Sequence, residues 1–367
     1  MRGIFKDTTG YIWLTSEGSL ARFDGYTYKT YRYNPDIPTG LPSAAFWEAA
    51  FPKYGDIYFS DKESYLYFNP TTESFSAPFK EAGDIISVNE AKGVEDCYWL
   101  RSEDAIYRKS KNGTERFTLP HAWPLGTQMI PAPDNSCMLF HEGTKDVLYF
   151  DYQTRQFSTP KILDSRGMED NTLVAEIIFT DNHFYLFTGQ RIFRFDPTAK
   201  NFAWYLDLKH TGNFDYQFRP YLSFNDSLVV IRSKSCLINI LNIRTGVEKL
   251  VCVNKKIPEA EAKDGFIITS VADNKGGIWI GTNNMGLIYY NIFTCQQEQY
   301  IHEPANSNSL PGNFITWILP DENGVVWASC FGQGIVKMEP VSALFKTVIP
   351  VVTKNTNPKK GVAWSES

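Results

Sequence analysis

One turn-and-strand motif recurs along the chain and constrains its fold more than any other feature. Within residues 273–291, an Asp-x-x-Gly turn leads into an apolar strand centred on Trp279, and a turn at Gly286 leads into a second apolar strand. The same spacing of Asp, Gly and Trp occurs twice more, at Asp7, Gly10 and Trp13 and at Asp321, Gly324 and Trp327. A repeat at such intervals predicts an array of similar supersecondary units.

Weaker copies of the motif fill the intervals, and they bring the number of units to eight. The equivalent positions at the centre of the second strand are residues 13, 58, 99, 138, 185, 229, 279 and 327, which fall 39 to 50 residues apart. Each unit has four apolar runs, A to D in chain order, without an intervening amphipathic helical pattern. The pattern predicts an all-β protein, a β-propeller of four-stranded antiparallel blades.

The C strands have a common ending. Six of them end on Asp or Asn, at residues 24, 69, 151, 196, 242 and 291, whereas Lys109 and Glu339 hold this place in units three and eight. Asp and Asn side chains accept hydrogen bonds from the backbone that follows them, and this favours a tight turn. The third unit instead offers Asn112-Gly113, a hairpin signal.

Composition agrees with a stacked β-fold. The chain has 43% hydrophobic and 15% aromatic residues, and the tryptophans at 13, 99, 279 and 327 are predicted to fill the space between blades. A net charge of −5 argues against contact with nucleic acid. The six cysteines form no CxxC pair, so we expect buried thiols and no metal or other cofactor, with disulfides as the alternative for an exported domain.

The sequence has no apolar run of about 18 residues and no signal peptide, so no membrane segment is predicted within it. Both ends fall inside the repeat pattern, and residues 356–367 resemble the loop and A strand of a ninth unit. We therefore expect a piece of a longer protein, either an excised fragment or an incomplete reading frame.

The motif Asp-x-x-Gly-x-Ile-Trp-Ile-Gly-Thr-x-x-x-Gly-Leu resembles the two-component regulator propeller repeat, as do the loops at 302–313 and 22–26. Units one, seven and eight match well, and units two to six match in outline. The resemblance implies the periplasmic sensor region of a hybrid two-component histidine kinase, in which two seven-bladed propellers precede an immunoglobulin-like domain, a membrane helix and the kinase. Residues 1–301 would then form the first propeller. Residues 302–367 would supply an eighth unit and the start of a ninth, opening a second propeller; an eight-bladed ring is the alternative.

The resemblance also implies a function and partners. This region would be a non-catalytic sensor of glycan-derived oligosaccharides that signals to a kinase outside it. Its partners would be an oligosaccharide, the neighbouring propeller, the immunoglobulin-like domain and a second copy of the parent chain. A propeller hydrolase or lyase acting on glycans, or a protein-interaction scaffold, remains the alternative.

The candidate ligand-binding residues lie on one rim. In a four-stranded meander the B–C and D–A loops share a rim, and here the D–A loops are long and varied, which is typical of recognition loops. Sugar binding requires flat aromatic rings and groups that bond hydroxyls or an acidic substituent. The candidates of suitable type are Arg101, Trp123, Arg166, Tyr216 and Arg219. No catalytic or metal-binding residues are predicted, because the five histidines show no ligand spacing.

Overall fold

The computed structural model describes eight sheets, built on antiparallel four-stranded meanders, in the order of the predicted units. It describes residues 3–16, 19–33, 36, 41, 48–50, 56–60, 65–76, 84–90, 94, 97–209, 221–223, 228–232, 237–254, 256, 265–273, 275–339, 345–351 and 363–366. The chain divides into two compact units, one of Met1–Ala49, Arg232–Ile238 and Leu250–Ser367 and one of Ala50–Ile231 and Asn239–Lys249. Every regular element in the described ranges is a β-strand.

The first four sheets each have four strands. The first contains β1 (Gly3–Lys6), β2 (Ile12–Ser16), β3 (Ser19–Phe23) and β4 (Tyr28–Arg32). The second contains β5 (Glu48–Ala50), β6 (Ile57–Ser60), β7 (Tyr65–Asn69) and β8 (Ser74–Ser76). The third contains β9 (Ser87–Asn89), β10 (Cys97–Arg101), β11 (Ala105–Ser110) and β12 (Gly113–Thr118). The fourth contains β13 (Thr127–Pro131), β14 (Cys137–His141), β15 (Val147–Asp151) and β16 (Gln156–Ser158).

Two of the remaining four sheets gain a fifth strand. The fifth sheet contains β17 (Ile162–Leu163), β18 (Glu176–Thr180), β19 (His183–Phe187), β20 (Arg191–Asp196) and β21 (Asn201–Asp207). The sixth contains β22 (Tyr221–Ser223), β23 (Leu228–Arg232), β24 (Leu237–Asn242) and β25 (Val247–Cys252). The seventh contains β26 (Ile267–Ala272), β27 (Gly277–Thr282), β28 (Leu287–Asn291) and β29 (Gln297–Tyr300). The eighth contains β30 (Ile315–Pro320), β31 (Val326–Cys330), β32 (Gly334–Met338), β33 (Phe345–Val351) and β34 (Ala363–Glu366).

The fifth strands add to the outer edges of their sheets. β17 pairs in parallel with β21, and β34 pairs antiparallel with β33. An edge strand offers unpaired N–H and C=O groups, which such additions satisfy. The segment predicted to open a ninth unit is thus a fifth strand of the eighth sheet here, and the second propeller stays a prediction.

The turns that end the C strands have the predicted mechanism. Asp24 Oδ1 accepts backbone N–H bonds from Tyr26 at 2.8 Å and Thr27 at 2.6 Å. The same pair of bonds forms at Asn69, Asp151, Asp196, Asn242 and Asn291. One acceptor side chain therefore sets this turn in six sheets.

The Asp-x-x-Gly motif closes the A–B turns. Asp7 Oδ1 accepts the Tyr11 N–H at 3.0 Å, and its Oδ2 accepts the Trp13 indole N–H at 2.8 Å. Gly10 takes a φ of 96° in this turn, a conformation that Gly adopts without steric cost. Asp273 and Asp321 accept the corresponding backbone bonds in the seventh and eighth sheets.

The core lies between neighbouring sheets, as the aromatic content predicted. Trp13 and Trp99 are completely buried, and Trp279 and Trp327 are 7% and 5% exposed. One hydrophobic cluster joins the third and fourth sheets, another the fourth and fifth, and another the seventh and eighth. In these pairs, each meander buries an apolar face against the sheet beside it.

The first and eighth sheets also share a cluster. Ile4 and Leu14 of the first sheet pack with Trp327 and Ile335 of the eighth. The eight-bladed alternative requires such a contact, and the number of blades in a closed ring stays a prediction.

Five cysteines lie among the described residues. Cys97, Cys137 and Cys330 are buried as expected, whereas Cys252 and Cys295 are exposed. Burial raises the pKa of the Cys330 thiol to about 12, so this group is neutral at physiological pH.

Candidate functional site

Arg101, at the end of β10, is completely buried. Its guanidinium donates hydrogen bonds to the carbonyl oxygens of Thr127 at 3.1 Å, Pro124 at 3.4 Å and Trp123 at 3.5 Å. Burial lowers the pKa of Arg101 to about 10, which leaves it charged at neutral pH. In this structure Arg101 holds the loop after β12 in place.

Trp123 lies in that loop and is 3% exposed. Its indole packs into the cluster shared by the third and fourth sheets, and its backbone N–H donates to the Glu103 carbonyl at 2.8 Å. The exposed His121 ring stacks on it, with 5.5 Å between centroids. The loop thus presents His121 to solvent, while Trp123 anchors it from inside.

Arg166 is exposed and bonds within its own loop. Its Nε and Nη2 donate to Asp164 Oδ2 at 3.1 and 2.9 Å. The Met168 N–H and the Arg166 side chain hold the pKa of Asp164 below its ordinary value. Arg166 therefore offers a charge to solvent on an ordered turn.

Tyr216 and Arg219 lie outside the described residues. The structure thus places two of the five predicted residues inside the protein and one on its surface. A ligand-binding role for all five stays a prediction.

A further surface, on a B–C turn and the D–A loop before its sheet, surrounds Phe331, which was not among the residues predicted from the sequence. Phe331 is 62% exposed and stacks on Phe314, with 4.9 Å between centroids. The adjoining loop is held by its own hydrogen bonds. The His302 N–H donates to Asn313 Oδ1 at 2.7 Å, and the Glu303 N–H donates to Ser309 Oγ at 2.9 Å. We call Phe314, Phe331 and residues 302–313 the Phe331 surface.

The rim of the A–B turns carries clefts between neighbouring sheets. One, of about 250 Å³, lies between the fourth and fifth sheets. The buried rings of Tyr149, Phe184 and Phe195 line it, with 4.6 Å between the centroids of Tyr149 and Phe195. The exposed Asp134 and Asn182 line it as well. This cleft is mainly aromatic.

A second cleft, of about 160 Å³, lies between the seventh and eighth sheets. Trp279 and Tyr289 line it, with 4.8 Å between their ring centroids. Asp273, Asp321 and Glu322 line it too. We call this the acidic cleft. The sequence assigned Trp279 to packing alone, since only the fold brings the next A–B turn beside its ring.

The corresponding space between the second and third sheets holds a lysine. Lys109 Nζ donates to Asp56 Oδ2 at 2.8 Å and lies 6.0, 5.9 and 5.7 Å from the ring centroids of Tyr58, Tyr67 and Tyr98. Burial disfavours the charged form of Lys109, but the hydrogen bond to Asp56 outweighs burial and raises the pKa of Lys109. Burial raises the pKa of Tyr98 as well. The lysine is therefore charged and the tyrosine neutral at physiological pH.

The described residues contain neither a metal-binding cluster nor a membrane-spanning helix. No group of three or more His, Cys, Asp or Glu side chains in these ranges is arranged to hold a metal ion. Within the same ranges, no helix has the length and apolar character needed to cross a membrane.

Known proteins share both the repeat and the fold. Residues 309–332 match the two component regulator propeller family, and no curated protein matches the chain. The extracellular domain of the putative hybrid two component system BT4673 from B. thetaiotaomicron is 18% identical, with a TM-score of 0.53 over 95% of this chain and 39% of that chain. The chain thus spans 39% of the length of that structure.

Other propellers are similar at lower identity. The computationally designed Ika8 protein is 14% identical, with a TM-score of 0.58 over 91% of this chain and 94% of that chain. The C-terminal WD40 domain of Sif2 is 11% identical, with a TM-score of 0.54 over 89% of this chain and 92% of that chain. These likenesses, with the four-stranded antiparallel sheets, confirm the predicted fold class. The chain is therefore a β-propeller protein that carries a two component regulator propeller repeat at residues 309–332.

Proposed function

We propose that this chain is an extracytoplasmic sensor propeller of a hybrid two-component regulator. It binds a glycan-derived oligosaccharide without turning it over, and the signal passes to a histidine kinase outside this chain. The observation that carries the proposal is the match of residues 309–332 to the two component regulator propeller family. The fold similarity to the extracellular domain of a putative hybrid two component system supports it. A neighbouring propeller, an immunoglobulin-like domain and a second copy of the parent chain complete the proposed assembly.

The Phe331 surface supports sugar binding. A sugar ring has an apolar face that stacks on a flat aromatic side chain, and Phe331 offers such a side chain at 62% exposure. The neighbouring 302–313 loop is held by internal bonds, so that little ordering cost accompanies binding. Its exposed Asn306 and Asn308 supply amide groups for hydroxyls.

The test is calorimetric titration of the whole extracytoplasmic region with a panel of plant and host oligosaccharides. We expect at least one to bind, and Phe331→Ala to weaken that binding about tenfold through the loss of ring stacking. Phe293→Ala is the matched control, because Phe293 is 63% exposed but lies on a C–D turn, at the other rim. Failure of every oligosaccharide to bind contradicts the sensor proposal, and cleavage of a bound one supports the enzyme alternative.

A further inference from the structure

In the seven sheets whose B–C pairing is described, one position of the C strand lies next to the aromatic residues between blades. It is the C-strand residue paired with the centre of the B strand. In four sheets this residue is a cation, namely Arg22, Arg108, Arg194 or Lys337. Each of these cations lies over an aromatic ring, at 4.6 Å (Tyr11), 5.2 Å (Tyr152), 5.1 Å (Tyr205) and 5.7 Å (Trp327) from the centroid. The fold therefore repeatedly places a cation on an aromatic face.

In three sheets the same position holds a tyrosine: Tyr67, Tyr149 or Tyr289. In the second sheet the neighbouring blade supplies the missing cation, because Lys109 lies 5.9 Å from the Tyr67 centroid and pairs with Asp56. This arrangement shows how the space beside such a tyrosine accommodates an ammonium group. Three tyrosine rings and one carboxylate surround the Lys109 ammonium group.

The seventh sheet also places two rings beside carboxylates, but the lysines near this cleft do not lie over the rings. Tyr289 pairs with Trp279 across β27 and β28, and both rings line the acidic cleft. Gly277 makes room for the tyrosine, since a Cβ there would lie 2.1 Å from the Tyr289 ring. Among the described residues, no Lys or Arg lies over either ring at cation–π distance.

The charge around the acidic cleft also favours a cation. Asp273, Asp321 and Glu322 line it, against one lining lysine, Lys275. Lys6 approaches two of the carboxylates from the first sheet, at 3.6 Å from Asp321 and 3.8 Å from Glu322. Three carboxylates thus face two lysines. The electron-rich ring faces add to the negative potential.

We propose that the acidic cleft binds a small organic cation through its ammonium group. Trp279 and Tyr289 supply the ring faces, and Asp321 and Glu322 supply the opposite charge. The site is distinct from the Phe331 surface, and the proposal does not rest on oligosaccharide sensing.

Two probes of nearly equal shape test the proposal on the full chain. Choline carries a trimethylammonium group, and 3,3-dimethylbutan-1-ol replaces it by a neutral tert-butyl group. In ligand-observed saturation-transfer NMR we expect choline to bind in the millimolar range and the alcohol at least about fivefold more weakly, as an exposed cation–π site predicts. Equal affinity for the two probes, or no choline binding at tens of millimolar, overturns the proposal.

Three variants locate the site. Tyr289→Leu and Glu322→Gln should each weaken choline binding about three- to tenfold, through loss of a ring face or a carboxylate. Tyr149→Leu is the matched control, since Tyr149 occupies the equivalent position beside the mainly aromatic cleft. Glu322 is exposed, so Glu322→Gln keeps the test valid if Tyr289→Leu misfolds. Unchanged choline affinity in Glu322→Gln and in folded Tyr289→Leu overturns the assignment. The outcome of the oligosaccharide titration is independent of the choline test, because that titration reports on binding at Phe331.

Discussion

At the scale of single residues, burial decides what a charged side chain does. Arg101 and Arg166 are the same residue type, and both belong to the predicted recognition rim. Arg101 is 0% exposed and bonds to backbone carbonyls, whereas Arg166 projects into solvent from a turn. Sequence alone could not separate them, because the loop that covers Arg101 lies more than twenty residues further along the chain.

This contrast predicts different costs for the same substitution. Arg101→Met should lower the free energy of unfolding by about 2–4 kcal/mol, since it removes the guanidinium donor from the buried carbonyls of Thr127 and Trp123. Arg166→Met, at an exposed position, should change it by less than about 0.5 kcal/mol. Urea titration of both variants provides the measurement. An Arg101→Met protein as stable as the parent would show that the guanidinium does not support the loop.

At the scale of elements, turn chemistry repeats more faithfully than the sequence motif. The A–B turn of the fourth sheet lacks Asp-x-x-Gly, yet its backbone bonds match those at Asp7. The Ala132 N–H donates to the Ser136 carbonyl at 2.7 Å, and the Asn135 N–H donates to the Ala132 carbonyl at 3.0 Å. Asn135 takes a φ of 69°, which Asn tolerates better than most residues. The motif therefore predicts the turn where it is present, and its absence does not exclude the turn.

The stability contributed by a C–D turn should depend on pH where the turn begins with Asp, but not where it begins with Asn. Although burial opposes it, the Thr154 and Gln153 N–H bonds, with Lys200, hold the pKa of Asp151 below its ordinary value. A carboxylate whose pKa is lowered in the folded state stabilises the fold at pH values above its ordinary pKa. This contribution is lost as the pH falls from the ordinary pKa through the lowered one. Asp151→Asn keeps the acceptor but removes the charge. We expect the variant to be about 0.5–1 kcal/mol less stable at pH 7 and equal to the parent in strong acid.

Urea titrations of Asp151→Asn at a series of pH values measure this difference. The converse variant, Asn69→Asp, serves as the control, because Asn69 accepts the same two backbone bonds in the second sheet. It should gain stability as pH rises. Parallel pH profiles for the parent and Asp151→Asn would contradict the assignment.

At the scale of the whole molecule, stability comes from sheets packed face to face. Single meanders have two apolar faces, and the clusters of the core each draw on two neighbouring sheets. The contact between the first and eighth sheets is of the same kind. This contact bears on the predicted domain boundary at residue 301. A first propeller closed by seven units would not need a contact between the first and eighth sheets.

A double-mutant cycle tests that contact in solution. Phe5 of β1 and Trp317 of β30 lie 5.1 Å apart between ring centroids. The free-energy costs of Phe5→Leu and Trp317→Leu should be non-additive by about 0.5–1.5 kcal/mol. Phe5→Leu with Phe117→Leu is the control, since Phe117 belongs to a different cluster and should add independently. Additive costs for the Phe5 and Trp317 pair would favour a first propeller that ends before the eighth sheet.

The sequence by itself determined the fold class and the turns that end six of the C strands, because turn residues and apolar runs act locally. Asp7, Asp24 and Asn291 each bond to the backbone within four residues, so that their roles are readable from a short stretch. Only the tertiary structure decided which charged and aromatic side chains are covered by other parts of the chain. Arg101 is buried by a loop from the next unit, Lys109 enters a cage on the neighbouring sheet, and Tyr289 is left beside an open acidic cleft. These outcomes depend on which sheet packs beside which, and no local pattern encodes that contact.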